Sequence, residues 1–362
     1  MSNILSNWKL YGIIVLSLIV RFYISFGTGL PWITIDSVNY IHQAEALLKG
    51  DYQYYFPNGY PLIIAISIVI SSLSFFKVFL ILLNIFLSTL GIVLIYRVSE
   101  KYFENEKYAL IASALAALYP NQLRYVHLIL TEVPSTFFVV LSLYFLINKR
   151  ENLSGFSIGF ASAIKTTLVG VPLIFSAYLF FKKKFREGVL FLVFSLIPIL
   201  IFLLYGYLKK SSFTLYIDLP KVFYISLGLE NVPADFFEGI KLYAGYLIDH
   251  PLDFFYERLK SLWDLWGFLL GRNEGLRNNL FFVILSALRF PLIVFAVYGF
   301  MKAVKNEFTL YLLIPALTIT FIHALIITSA HEPFIANPRY IFPSEPFLII
   351  LAVYGLKSIR RG

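Results

Sequence analysis

Apolar residues come in long runs separated by short polar gaps, and those runs set the architecture. Runs at about 10–27, 78–96, 108–121, 133–147, 153–164, 167–181, 188–208, 278–300, 308–328 and 344–357 carry few charges. The hydrocarbon layer of a bilayer is about 30 Å thick, and an α-helix crosses it in roughly 20 apolar residues. The pattern predicts an all-α integral membrane protein with about ten transmembrane helices. Several runs are short. The pair between Asn152 and Phe181 must cross twice in about 30 residues, which predicts tilted or partly re-entrant helices.

Composition agrees. Hydrophobic types make up 59% of the 362 residues and charged types 14%, whereas a soluble domain carries about 25% charge. So few charges cannot cover a water-facing surface, but a bilayer accepts an apolar exterior. The formal net charge is +9, which on its own suggests nucleic-acid binding. The basic residues instead sit in the gaps between apolar runs, so a nucleic-acid partner is not expected. The absence of Cys excludes disulfides and thiolate metal sites. The first run follows Lys9 without a small-x-small cleavage site, so it reads as a retained helix.

The positive-inside rule sets the expected orientation. Lys9, the 97–107 gap, Lys149–Arg150, Lys182–Arg186, Lys302 with Lys305, and Lys357 with Arg360 and Arg361 share one side if residues 61–76 do not span. Segment 61–76 is therefore expected to lie in the interface or to dip in without crossing, as part of a first outer loop with interfacial helices. Both termini are expected in the cytoplasm of a multi-pass plasma (inner) membrane protein. The chain reads as a single polytopic membrane domain over 1–362, with outer loops at about 28–77, 209–277 and 329–343.

Candidate chemistry gathers in those outer segments. Asp36 starts a short helix in the first loop, with Tyr40 and Ala44 on its face at i+4 steps. The plain account of Asp36 is an N-cap, and the functional one a general base at the membrane surface. Thr131-Glu132-Val-Pro134 opens an apolar helix, where a carboxylate gains from the helix dipole. Arg124 and His127 precede it, as interfacial residues or as substrate contacts. Lys165, at the tip of the short hairpin beside Thr166 and Thr167, either snorkels to the interface or attracts a phosphate. His331, Glu332, Arg339 and Tyr340 precede the last helix. The Arg339 fork suits a phosphate, or a salt bridge to Glu332 or another outer carboxylate. Arg21 lies inside the first run and needs a partner, either a carboxylate within the bundle or the interface. Residues 250–266 alternate aromatic, apolar and charged positions at helical spacing, which predicts an amphipathic helix on the outer leaflet.

In their order these features resemble the GT-C superfamily of polytopic glycosyltransferases. The likeness is to the dolichyl-phosphate-mannose–protein mannosyltransferase type and the bacterial aminoarabinose transferases. It rests on Asp36 after the first helix, Gly59-Tyr60-Pro61 entering an apolar helix, Glu132 in a Pro-containing outer turn, and Arg339-Tyr340-Ile-Phe-Pro343 before the last helix. The family often has Asp-Glu in the first loop, where Asp36 is followed here by Ser37. Larger members carry a soluble outer domain after the membrane core. None follows the last run here, so acceptor recognition is expected from the outer loops or a partner.

The resemblance implies transfer of a hexose or pentose, with inversion, from a polyprenyl- or dolichyl-phosphate donor to an acceptor hydroxyl at the outer face. Asp36 is then the catalytic base. Arg339, Tyr340 and Lys165 would hold the donor phosphate. Tyr40, Tyr60, Arg124, His127, Glu132, His331 and Glu332 would bind substrate. The acceptor class stays open between lipid, glycan and protein. Outer His, Asp and Glu residues leave a divalent metal as an open option, but no spacing specifies one. A transporter or flippase of a lipid-linked sugar is the alternative, and a non-catalytic subunit is a third. Against transport, no inverted repeat is visible, and the polar residues gather at one face rather than mid-bilayer.

Overall fold

The computed structural model describes residues 7–51, 57–210, 236–266, 280–326 and 339–360. All regular structure among them is helical. Helix α1 (Trp8–Phe22) starts where the Asn7 side chain accepts the Leu10 N–H at 3.2 Å. It ends in a π-turn at Tyr23–Gly27. Helix α2 (Ile35–Leu48) follows, and then α3 (Gly59–Phe103).

A straight helix of 45 residues would run about 68 Å, more than twice the hydrocarbon thickness. The backbone breaks at Ser72 (φ 70°, ψ 162°) and divides α3 into two arms. The first arm, 59–71, holds most of the segment expected not to span.

The remaining helices are α4 (Glu106–Leu118), α5 (Pro120–Arg124), α6 (Glu132–Ile147), α7 (Glu151–Ile164), α8 (Gly170–Phe181) and α9 (Phe185–Lys210). After them come α10 (Phe236–Asp249), α11 (Pro251–Leu265), α12 (Leu280–Ala303), α13 (Glu307–Ile326) and α14 (Glu345–Ile359). Among the described residues, five segments are long and apolar enough to cross a membrane: Trp8–Gly27, Gly59–Phe103, Phe185–Lys209, Glu307–Leu325 and Phe342–Ile359. Glu132–Ile147 and Thr166–Phe181 are shorter apolar helices. The chain is thus a multi-pass membrane protein. Exposed Ile19, Phe86, Ile201 and Phe290 lie on its apolar surface, as expected where the solvent is hydrocarbon.

Small residues let the helices meet. Gly155 and Gly159 sit four apart on α7, and a Cβ on either would come within 2.2 Å of the Phe191 or Ser195 carbonyl oxygen of α9. This is the close backbone approach that small-xxx-small spacing permits in membranes. Ser142 and Ser154 join α6 to α7, with their hydroxyls 2.9 Å apart.

Arg21 is buried, but its described partners are not carboxylates. Its guanidinium donates to the Ser88 hydroxyl at 2.9 Å, the Ser17 hydroxyl at 2.5 Å and the Ala117 carbonyl at 2.9 Å. Of the two alternatives left open for Arg21, the bundle carboxylate is not the one seen among these contacts, which are hydroxyl and carbonyl dipoles.

The basic gaps meet at one end of the bundle. Lys101 donates to the Ile147 carbonyl at 2.6 Å, Lys357 to the Phe103 carbonyl at 2.7 Å, and Lys184 pairs with Glu307 at 2.5 Å. Helices α6 and α14 run from the opposite end toward this one, and they start at Glu132 and Glu345.

Candidate active site

Asp36, Glu132, Lys165 and Arg339 come together at that opposite end. Helix α2 begins with a reciprocal cap: Ser37 N–H donates to Thr34 Oγ1 at 3.3 Å, and Thr34 N–H donates to Ser37 Oγ at 2.9 Å. Thr34, not Asp36, is the N-cap. The plain account of Asp36 therefore fails, because the capping is already done. Ser37 fills the position where a capping box commonly carries Glu or Gln. The Asp36 carboxylate, in the first turn, is left to make tertiary contacts.

Arg339 Nη2 donates to Asp36 Oδ2 at 2.6 Å. Arg339 Nε lies 3.9 Å from Glu132 Oε1, and Lys165 Nζ lies 3.5 Å from the same oxygen. The salt bridge expected as one account of Arg339 is made, and its carboxylate is Asp36. Each helix-borne charge sits at an end that suits its sign. Asp36 and Glu132 are in the first turns of α2 and α6, and Lys165 follows the last residue of α7. The site has a mouth and a floor: the Asp36 and Arg339 side chains are 29% and 27% exposed, and those of Glu132 and Lys165 only 4% and 10%.

Aromatic rings wall the site. Tyr40 and Tyr60 pack edge to face at 5.1 Å, and the Tyr40 hydroxyl bonds the Thr131 side chain. Tyr60 arrives through a tight approach, since a Cβ on Gly59 would lie 2.5 Å from the Ala163 carbonyl, next to Lys165. The Tyr340 ring faces the Arg339 guanidinium at 5.1 Å and Lys165 Nζ at 5.7 Å, and stacks on His323 at 5.6 Å.

Burial pushes the Lys165 ammonium below the usual lysine range, and Arg339 adds to this, while Glu132 and Asp36 pull the other way. Burial also drives the Tyr40 hydroxyl well above its usual range, with Glu132 and Asp36 adding to the effect. Tyr340 is raised by burial as well. Glu132 Oε2, Lys165 Nζ, Tyr60 Oη and His323 Nε2 are buried without a hydrogen-bond partner. Buried polar atoms are normally satisfied; beyond their 3.5 Å ion pair, Glu132 and Lys165 keep unused hydrogen-bonding capacity in the site.

Arg124 lies beside the Tyr125 ring at 5.9 Å. His127 is buried with Nδ1 unpartnered, and burial lowers its pKa, followed by the Arg124 charge. Both precede Thr131 on the segment that leads to the site. His331 and Glu332 lie outside the described residues. No three His, Asp or Glu side chains group as metal ligands among the described residues.

Three buried ionisable residues escaped the sequence reading: Arg289, Glu345 and His323. Arg289 could have been flagged as Arg21 was, since it is a charge inside an apolar run. Glu345 opens a helix as Glu132 does.

Residues 57–206 match the family model of dolichyl-phosphate-mannose-protein mannosyltransferase. That span carries Tyr60, Glu132 and Lys165. No curated protein sequence matches the chain. Among solved structures, ArnT from Cupriavidus metallidurans bound to undecaprenyl phosphate aligns over 97% of this chain and 60% of its own, with 15% identity and a TM-score of 0.62. The apo ArnT structure aligns over 98% and 60%, at the same identity and score. The Saccharomyces cerevisiae protein O-mannosyltransferase Pmt1-Pmt2 complex aligns over 64% of this chain and 38% of its own, with 19% identity and a TM-score of 0.46. The chain spans about 60% of the length of the ArnT structures it matches. The chain has the membrane fold of ArnT, and it resembles the GT-C polytopic glycosyltransferases in both that fold and the match over 57–206.

Proposed function

We propose that the chain is a membrane glycosyltransferase that moves a sugar from a polyprenyl- or dolichyl-phosphate donor to an acceptor hydroxyl. One observation carries the reading: two cations and two carboxylates from four distant segments share one partly open site. Phosphate departure leaves negative charge on an oxygen, and fixed cations at that point lower the barrier. Arg339 and Lys165 supply them. The same transfer needs a base for the acceptor hydroxyl, and Asp36 at the mouth supplies it.

In this account the donor phosphate takes the Arg339 guanidinium, and Asp36 is freed toward the acceptor. The acceptor oxygen gives its proton to Asp36 and bonds the anomeric carbon. The bond from that carbon to the phosphate oxygen breaks, and its electron pair leaves with the phosphate. Attack opposite the leaving group inverts the anomeric centre. Glu132, between both cations on the floor, orients Lys165 and accepts from the sugar.

Two further features support the reading. A cleft of ≈ 460 Å³ among Leu47, Leu62, Ile66, Val69, Ile201 and Phe202 gives an apolar chain a place along the same arm of α3 that carries Tyr60. The basic gaps lie at the other end of the bundle, which by the positive-inside rule supports a site at the outer face with the termini inside.

The test is turnover of radiolabelled polyprenyl-phosphate mannose, glucose or aminoarabinose by the purified full chain, with membrane lipid extract as acceptor source. Release of polyprenyl phosphate with any of these donors is the expected result. Vectorial movement of the donor across a vesicle without bond cleavage would instead establish a transporter.

A further inference from the structure

A fully buried ion pair lies outside the group of four charges. Arg289, inside α12, and Glu345, the first residue of α14, are each 1% exposed and pair directly. A charge inside a bundle is costly unless its remaining hydrogen-bonding capacity is met. Here it is met from three directions. Asn121 Nδ2 donates to Glu345 Oε1 at 2.7 Å, and Gln122 Nε2 to Oε2 at 3.4 Å. Arg289 Nε donates to the Tyr119 hydroxyl at 3.3 Å, and Nη1 to the Leu265 carbonyl at 3.5 Å.

We propose that Arg289 and Glu345 are positioning residues that clamp together the two chain segments carrying Glu132 and Arg339. The proposal rests on the glycosyl-transfer reading for what those two ends do. Its geometry is independent of that reading. Glu345 directly follows the 3-10 turn at Phe342–Ser344, and that turn follows Arg339 and Tyr340. Asn121 and Gln122 lie on α5, which leads through Tyr125 to Thr131 and Glu132. A ring contact repeats the link, with Tyr125 edge to face on Phe342 at 5.4 Å. Leu265, whose carbonyl Arg289 holds, packs with Ile341 and Tyr340.

Helix packing alone does not call for the pair. Helices α12 and α14 already meet by backbone contact, since a Cβ on Gly299 or Gly355 would come within 2.2 Å of the Leu351 or Phe295 carbonyl oxygen. Two apolar side chains could fill the same place. What they could not do is hold Tyr119, Asn121 and Gln122 against the start of α14. A misplacement of about 1 Å at a reacting centre can cost about 100-fold in rate, so a device that fixes these segments matters to transfer.

The test compares wild type with Glu345→Gln and with Arg289→Met/Glu345→Met, which leaves no lone buried charge. Backbone hydrogen exchange reads the geometry, and binding of polyprenyl monophosphate reads the site without turnover. Exchange should rise about tenfold in segments 119–132 and 339–345 together, in both variants, with α7 and α9 unchanged. Affinity for the lipid phosphate should fall about tenfold in both. Faster exchange in one segment only, or unchanged affinity with only a lower melting temperature, would overturn the clamp. A wild type that binds no lipid phosphate removes the functional reading, and the exchange pattern then decides alone whether the pair couples the two segments.

Discussion

Arg339 holds Asp36 through a 2.6 Å hydrogen bond across 303 positions of sequence. The pair closes the mouth of the site over Glu132 and Lys165. It also places the proposed base and the proposed phosphate ligand in direct competition. A phosphate offers the guanidinium a bidentate partner that one Asp36 oxygen does not, so the proposed mechanism predicts that donor binding releases Asp36.

Removing the Arg339 fork should therefore be costly even when its charge is kept. Arg339→Lys keeps a cation but loses the bidentate geometry. Its kcat/KM for the donor should fall by about 10²–10³, the loss that removal of one oxyanion-stabilising donor causes in a hydrolase. Steady-state kinetics at fixed acceptor checks this, and a loss below threefold would remove Arg339 from phosphate stabilisation.

Lys165 must be protonated to attract the phosphate. Burial lowers its pKa below the usual lysine range, so activity should fall on the alkaline side at a pH below about 10.4. Lys165→Arg keeps its charge to higher pH, so the alkaline limb should move upward. The stability effect has the opposite slope. Between the lowered pKa and the ordinary one the unfolded chain binds more protons at this position, so stability rises with pH across that window. It is lost as pH falls through the folded value. A pH–rate profile and a thermal melt series, wild type against the variant, read the two signs separately.

Four charges were legible in the sequence: Glu132 opens an apolar run, Lys165 separates two of them, Asp36 starts a short loop helix, and Arg339 offers a fork just before the last run. The helical plan was legible from the same apolar runs. Pairings were not, because neither periodicity nor charge pattern says which outer loop meets which. The Thr34–Ser37 cap was hidden by Asp36, a better-known capping residue. The break at Ser72 carries neither Gly nor Pro, the residues that usually announce one. Arg289 and Glu345 were missed because each lies within or at the edge of a run read only for its hydropathy.

The cap is a point where local structure sets the chemistry. Thr34→Ala removes the side-chain oxygen that accepts the Ser37 N–H. It should cost about 1 kcal/mol of stability. It should also let the first turn of α2 fray, so activity falls more than stability does. Thr34→Ser keeps the oxygen and should restore both, as denaturation and turnover measured on one preparation will show.

Gly59 tests the wall of the site. Gly59→Ala puts a methyl 2.5 Å from the Ala163 carbonyl, and relieving that overlap must shift Tyr60 or the chain leading to Lys165. An overpacking cost of about 1–3 kcal/mol is expected, with loss of donor turnover. Gly91 is the control, since nothing lies within 4 Å of a Cβ there. Gly91→Ala should leave turnover unchanged and melt no lower than wild type.

The most direct test of the central claim compares wild type with Asp36→Asn in two assays on the same purified protein. One is sugar release from the polyprenyl-phosphate donor, and the other is binding of polyprenyl phosphate. The account predicts that Asp36→Asn loses turnover by about 100-fold or more, while it binds the lipid phosphate at least as tightly as wild type, because Arg339 has lost its competing carboxylate. Turnover equal to wild type would contradict Asp36 as the base. Weaker lipid-phosphate binding by the variant would contradict the exchange of Arg339 between Asp36 and the donor.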